Sequence, residues 1–307
     1  YSTNAWPQDG VDFTGKRVAV IGTGSSGIQS IPLIAKEASQ ITVFQRTANY
    51  AAPANNGPVR EEHLQKLQAD RDTYHEGARW SRAGVPLPRS EEPFFTVEPE
   101  ERQRRLEKGF ARGDLLTINT SFTDLVSNQA ANDSVAEFFR DKVRAKVTDP
   151  QTAEDLCAKD FPLFTKRLCL ETNYFETFNL PHSKLINLRN TPIESITETG
   201  IDTTEESMEF DSIVFATGFD AMTGAIVAVD IRGRDGIELK DVWEEGPKTY
   251  LGLNVHGFPN FFTITGPGSP SVLSNMVVSI EQHVDWITAA FEHLRNQDLK
   301  TLEATAA

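Results

Sequence analysis

The chain has 307 residues, 39% of them apolar and 24% charged, a profile that excludes collagen, coiled coil and wholesale disorder and leaves room for two domains. With 30 Lys and Arg against 44 Asp and Glu, the formal net charge of −14 offers no attractive field to nucleic acid or anionic lipid on the average surface. No apolar run approaches the roughly 18 to 20 residues of a membrane span, and Cys157 and Cys169 match neither a disulfide scaffold nor a zinc spacing, so a cytoplasmic setting is expected.

Residues 1–15 read as a linker. The opening at Tyr1 without methionine, and a close in Leu302–Ala307 without Gly or Pro, read as cuts within a longer protein. Lys16–Ile21 is a β-branched run that enters Gly22-Thr23-Gly24-Ser25-Ser26-Gly27, after which Ile28, Ile31, Ile34, Ala35 and Ala38 recur at helical spacing, with a kink expected at Pro32. Ile41–Phe44 then supplies a second strand, so the unit is βαβ with parallel strands. From about residue 60 to 150 a charged block predicts helices over Glu61–His75, Pro99–Phe110 and Val135–Val147, with an exposed loop at Gly77–Pro93. Strands are predicted at Lys184–Leu188, Ile193–Thr197, Glu209–Ala216, Ile226–Ile231, Tyr250–Leu253 and Phe261–Thr265. A long helix follows over Ser274–Leu294, with Met276, Ile280, His283, Ile287 and Phe291 as its buried stripe.

The glycine motif sits where a dinucleotide fingerprint must sit, after a strand and at the start of a helix. Gly22 permits the tight turn, Gly24 lets the backbone approach a pyrophosphate, and Gly27 lets helix and strand pack closely. Ser25 and Ser26 add hydroxyl donors beside the free N–H groups of the helix start. About 20 residues beyond the last glycine an NAD site would place an acid for the ribose 2′-hydroxyl. This chain has Arg46 and Thr47 there, which favours the 2′-phosphate of NADP(H), although a solvated surface arginine fits the same position. Lys166 and Arg167 lie in the apolar stretch Phe161–Leu168, either as a solvated pair or as cations that meet a phosphate or a developing negative charge. Ala216-Thr217-Gly218-Phe219 ends a strand in a small, flexible turn that by itself is only a strand-to-loop transition. The six histidines show no metal spacing, and no Gly-x-Ser-x-Gly elbow is present.

Taken in order, Gly22–Gly27, Phe44-Gln45-Arg46-Thr47, Lys166-Arg167, Ala216-Thr217-Gly218-Phe219-Asp220 and Gly266-Pro267-Gly268-Ser269-Pro270 resemble the class B flavoprotein monooxygenases. The chain is most similar to the Baeyer–Villiger monooxygenases of the phenylacetone and cyclohexanone type, and the resemblance covers nearly all of it. It implies an α/β fold: a Rossmann-type NADP-binding domain at 16–210 with a helical insert at about 60–150, then part of a second, FAD-binding α/β domain at 211–307. It implies FAD and NADP(H) as cofactors, with the FAD fingerprint upstream of Tyr1. Gly22, Thr23, Gly24, Ser25, Ser26, Gly27 and Gln29 would cradle the nucleotide, and Arg46, Thr47 and Lys166 would hold its 2′-phosphate. Arg167 would be catalytic, Ala216-Thr217-Gly218 would return the chain to the FAD domain, and Met276 would approach the flavin ring. Ser2 stands where the family's fingerprint has a histidine ahead of its Trp-Pro pair, here Trp6-Pro7.

The implied reaction takes a small-molecule ketone and O₂ and inserts one oxygen atom beside the carbonyl, through a flavin peroxide, to give an ester or lactone. The chemistry belongs to the flavin, and the protein must position, exclude water and hold negative charge. Two alternatives stand beside it: oxygenation of nitrogen or sulfur, and an isolated NADP(H)-binding module without activity. Neither a nucleic-acid nor a membrane partner is expected.

Overall fold

The computed structural model describes residues 1–306 except 82, 88, 114, 115 and 271–273. In chain order its elements are β1 (Arg17–Ile21), α1 (Ser25–Glu37), β2 (Gln40–Gln45), β3 (Ala51–Pro53), α2 (Glu61–Ala69), α3 (Arg71–Arg79), α4 (Pro99–Arg112), α5 (Thr117–Thr120), α6 (Gln129–Lys146) and α7 (Pro150–Leu156). They continue with β4 (Cys169–Glu171), α8 (Tyr174–Thr177), β5 (Ser183–Asn187), β6 (Ile193–Ile196), β7 (Gly200–Thr203), β8 (Ser207–Glu209), β9 (Ser212–Phe215), α9 (Gly224–Val227), α10 (Leu239–Val242) and α11 (Met276–Asn296). Two compact units result. One holds Tyr1–Gly57 and Leu87–Phe219, the other Pro58–Pro86 and the chain from Asp220 onward.

In the first unit β5, β2, β1 and β9 pair in that order, all parallel. Side chains alternate across the sheet. Val18, Val20, Ile41 and Val43 are fully buried in one cluster with Ile28 and Ile31 of α1 and Phe175 of α8. Ala19 and Phe44 point the other way, against Ile201 and Phe210 of the antiparallel meander β6-β7-β8. Cover on both faces explains why the β1 sequence is a continuous apolar run rather than an alternating one. Each such buried Val, Ile or Phe contributes about 1.5 to 3 kcal/mol. The strand order reverses at β1, with β2 on one side and β9 on the other, and the crevice at the carboxyl end of such a switch point is where α/β sheets bind ligands. A second core, built on Phe94, Phe110, Phe122, Phe138 and Phe139 from the α4–α6 region, carries the segment that leads to Lys166.

The expected division of the chain differs from the observed one. Residues 1–3 run beside β9 as a further edge: Tyr1 O accepts from the Phe215 N–H at 2.8 Å, and the Thr3 N–H donates to Phe215 O at 3.0 Å. Phe13 is buried with Val18, so the expected linker is packed into the first unit. β9 lies beyond the boundary expected at 210, yet it belongs to the same sheet as β1. The predicted strand Glu209–Ala216 is two strands, because the chain leaves the meander at Glu209 and enters the parallel sheet at Ser212. Arg17 holds that crossing, with its backbone N–H and its guanidinium both on the Asp211 carboxylate. α1 runs unbroken through Pro32. The expected helical insert is shared, with α2 and α3 in the second unit and α4–α7 in the first.

In the second unit the predicted helix over Glu61–His75 is divided at Asp70, whose carboxylate accepts from the Thr73 N–H and caps α3. Of the expected loop 77–93, Arg82 and Pro88 lie outside the described residues, and Gly77–Arg79 still belong to α3. α3 is tied to α11 by His75–Glu281 at 2.9 Å and Arg79–Asp285 at 3.0 Å. Ile226–Ile231 is not a strand: its apolar residues form α9 and a turn around Trp243 and Phe258, the ambiguity expected of short apolar runs. Tyr250–Leu253 and Phe261–Thr265 form only isolated bridges, Tyr250 to Asn254 and Asn254 to Phe262, since positive φ at Leu251, Gly252 and Thr265 curls the backbone. The expected buried stripe of α11 is also corrected. His283 is buried, but Met276, Ile280 and Phe291 are exposed, and Ser279, Ala290 and Leu294 take the buried positions. Among the described residues no helix is long and apolar enough to cross a membrane.

Candidate functional site

The site lies in the first unit, where β1 stops. Gly22 has φ +107°, and a Cβ there would fall 2.4 Å from Ala216 O. A Cβ on Gly27 would fall 2.2 Å from Gly22 O. The chain's own packing therefore demands both glycines. Gly24 is different: nothing lies within 4 Å of where its Cβ would be, so its backbone faces open space. α1 begins there with no side-chain cap and no acidic residue in its first turn. Its first N–H groups and the positive end of its dipole are thus available to an anion.

Two long-range hydrogen bonds fix the turn. Buried Thr23 donates its hydroxyl to Thr47 O at 3.1 Å, and the Asn49 Nδ2 donates to Thr23 O at 2.7 Å. Gln29 reaches back to the Ser25 hydroxyl at 3.2 Å. Sequence reasoning gave Thr47 but not Asn49, whose position carries no local signal.

Arg46 leaves the end of β2 on the same edge, since the Gly22 N–H donates to Phe44 O at 2.9 Å. Its side chain is exposed, and among the described residues it makes no ion pair. Its carbonyl accepts from Arg189 Nε at 3.0 Å, and Arg189 also pairs with Asp160 at 2.7 Å. Phe161 follows Asp160, and the Lys166 ammonium sits 4.2 Å over the Phe161 ring. A chain of contacts thus links Lys166 to the edge that carries Arg46. Arg189 lies two residues beyond the end of β5, and no local sequence signal marks it. Lys166 and Arg167 are exposed rather than buried among apolar residues, so neither cation needs an anion to offset a desolvation cost. Among the described residues Arg167 has no hydrogen-bond or ion-pair partner, which leaves its donors free for a ligand.

Ala216 extends the pairing of β9, its N–H donating to Ile21 O at 2.8 Å, and its carbonyl then lies directly against Gly22. Thr217 and Gly218 follow as an exposed turn, with φ +102° at Gly218. Ser2 pairs with Phe215 immediately before this turn, and its hydroxyl donates to Asn4 Oδ1 at 2.6 Å. The fingerprint, Gln29, Thr47 and the Ala216 turn therefore meet at one crevice. Met276 is the first residue of α11 in the other unit and is exposed. Among the described residues no group of His, Cys, Asp or Glu is placed to hold a metal ion.

No family model matches the chain. Over 305 residues it is 39% identical to a Baeyer–Villiger monooxygenase of Pseudooceanicola batsensis, covering 99% of this chain and 55% of that protein. Its fold superposes on a solved oxidised steroid monooxygenase bound to NADP with a TM-score of 0.91 and 47% identity, over 99% of this chain and 58% of the other. It also superposes on a solved complex of OTEMO with FAD and NADP with a TM-score of 0.92 and 39% identity, again over 99% and 58%. The chain spans little more than half the length of these proteins and is similar to Baeyer–Villiger monooxygenases from end to end. Its fold is α/β, of Rossmann type.

Proposed function

We propose that this chain works in an NADPH- and FAD-dependent monooxygenase of the Baeyer–Villiger type, which inserts one oxygen atom of O₂ beside the carbonyl of a small-molecule ketone. The observation that carries this reading is the cradle at Gly24, open where a pyrophosphate would lie, with Arg46 rather than an acid just beyond the end of the next strand. The residues fit the nicotinamide dinucleotide. Gly22–Gly27 and the start of α1 would bind the pyrophosphate, with Ser25, Ser26 and Gln29 at its flank, and Arg46, Thr47 and Lys166 would meet the 2′-phosphate. For the flavin, this chain would contribute Ala216-Thr217-Gly218 and Met276.

When bound, the flavin and the nicotinamide supply the redox and oxygen chemistry. The chain's own part is electrostatic. The Arg167 guanidinium would hold the negative charge that grows on the ketone oxygen. Removing one such stabiliser costs about 100- to 1,000-fold in rate. Arg167→Ala in the full-length protein should therefore lose ester formation from a ketone while NADPH oxidation continues, with a thioether as a parallel substrate that needs no such cation. Unchanged ester yield in that variant would remove Arg167 from the mechanism.

A further inference from the structure

Asn132 lies on α6, outside every motif described above, and only 5% of it is exposed. Its side chain bonds two segments, the connection before α6 at Leu125 and the loop at Leu163. Its Nδ2 donates to Leu163 O at 2.9 Å and to Leu125 O at 2.8 Å, and its Oδ1 accepts from the Leu163 N–H at 2.9 Å. Leu163 is thus gripped at both ends of its backbone, three residues before Lys166. Pro162–Thr165 is a β-turn, with the Thr165 N–H on Pro162 O at 3.3 Å and Phe164 in its third position at φ +70°. That position ordinarily takes glycine, and which way the Leu163–Phe164 peptide faces decides whether it must. The bond from Asn132 to Leu163 O fixes that peptide. The Leu163 side chain is buried in the core, and an open pocket of about 250 Å³ lined by Leu125, Asn132, Leu163 and Phe164 lies beside the turn.

We propose that Asn132 is a positioning residue: it holds the Pro162–Thr165 turn in a conformation unfavourable to phenylalanine, and so aims Lys166 at the nucleotide's 2′-phosphate. An unfavourable backbone conformation next to a ligand-binding group persists only where the surroundings impose it. The inference rests on the nucleotide reading above and adds a residue that touches neither cofactor nor substrate.

The test compares equilibrium binding of NADP⁺ and of NAD⁺, which differ only by the 2′-phosphate, to the full-length protein by calorimetry. Asn132→Leu should weaken NADP⁺ by about tenfold, the loss of a charge-assisted contact, and NAD⁺ by less than about twofold. A loss of general structure would weaken both alike and would overturn the proposal. Phe164→Gly in the Asn132→Leu background should return the ratio toward wild type, because glycine accepts positive φ without a clamp. No return would also overturn it. If Asn132→Leu does not fold, Asn132→Asp keeps the acceptor for the Leu163 N–H and removes both donors, and the same ratio is read there. Failure of both to fold would assign Asn132 to the core and refute the positioning role. Lys166→Ala serves as the reference. If it leaves the ratio unchanged, the nucleotide reading of Lys166 fails and the proposal fails with it. If it lowers the ratio and Asn132→Leu does not, only the proposal fails.

Discussion

Replacing Gly24 with alanine separates packing from nucleotide binding. Gly24 has φ −77°, comfortable for any residue, and its Cβ would meet nothing within 4 Å. Two small effects on stability oppose each other. Alanine is a poorer N-cap than glycine by a few tenths to about 1 kcal/mol, and the stiffer unfolded chain returns about 0.4 to 1 kcal/mol. The net lies within about 1 kcal/mol, a shift of no more than about 2 to 4 °C in Tm for a domain of this size. A pyrophosphate, however, would meet the new methyl group directly. Loss of one charge-assisted hydrogen bond costs about 1.5 to 3 kcal/mol, or roughly 10- to 100-fold in Kd. Gly27→Ala is the reverse case: its Cβ would fall 2.2 Å from Gly22 O, so α1 must move away from the turn. Overpacking of that kind costs about 1 to 3 kcal/mol whether or not nucleotide is present. Thermal unfolding and NADP⁺ calorimetry on both variants check this. Wild-type NADP⁺ affinity in Gly24→Ala, or equal destabilisation of the two variants, would refute the reasoning.

Arg46→Ala should weaken NADP⁺ about tenfold and leave NAD⁺ almost unchanged; an equal loss for both would remove Arg46 from the 2′-phosphate. Burial holds the pKa of His283 below its ordinary 6.5, while its Nδ1 accepts the Thr265 N–H at 2.9 Å. The unfolded chain therefore takes up the proton first, and stability falls as pH drops below about 6.5, by at most about 1.4 kcal/mol per pH unit, until the folded state is protonated as well. Denaturant unfolding between pH 7.5 and 5.5 should show this slope in wild type and a shallower one in His283→Gln, and identical slopes would contradict it. Cys157 and Cys169 are buried free thiols whose pKa values burial raises. A thiol titration should therefore find both slow in native protein and both fast in guanidinium, and fast native labelling of either would show that its segment opens readily.

The fingerprint was legible in the sequence because each of its parts is local. The strand period, the three glycines and the helical period lie within one stretch from Arg17 to Glu37, and parallel pairing alone then puts Arg46 beside them. The same logic failed in the second unit. Short apolar runs such as Ile226–Ile231 satisfy a strand and a turn equally well, and only packing around Trp243 decided between them. The apolar stripe of α11 misled for a related reason, since helical spacing shows that residues share a face but not whether anything covers it. Asn49 on Thr23, Arg189 on Arg46, Ser2 beside Phe215 and Asn132 on Leu163 had no signal at all. Each is a polar side chain or a backbone edge that meets its partner only across the folded chain. Sequence by itself determined the βαβ unit and the positive charge of Arg46 at its carboxyl end, since backbone geometry imposes those periods residue by residue. Only the tertiary structure decided which distant groups hold that end in shape, because hydrogen bonds between remote segments depend on where the whole chain places them.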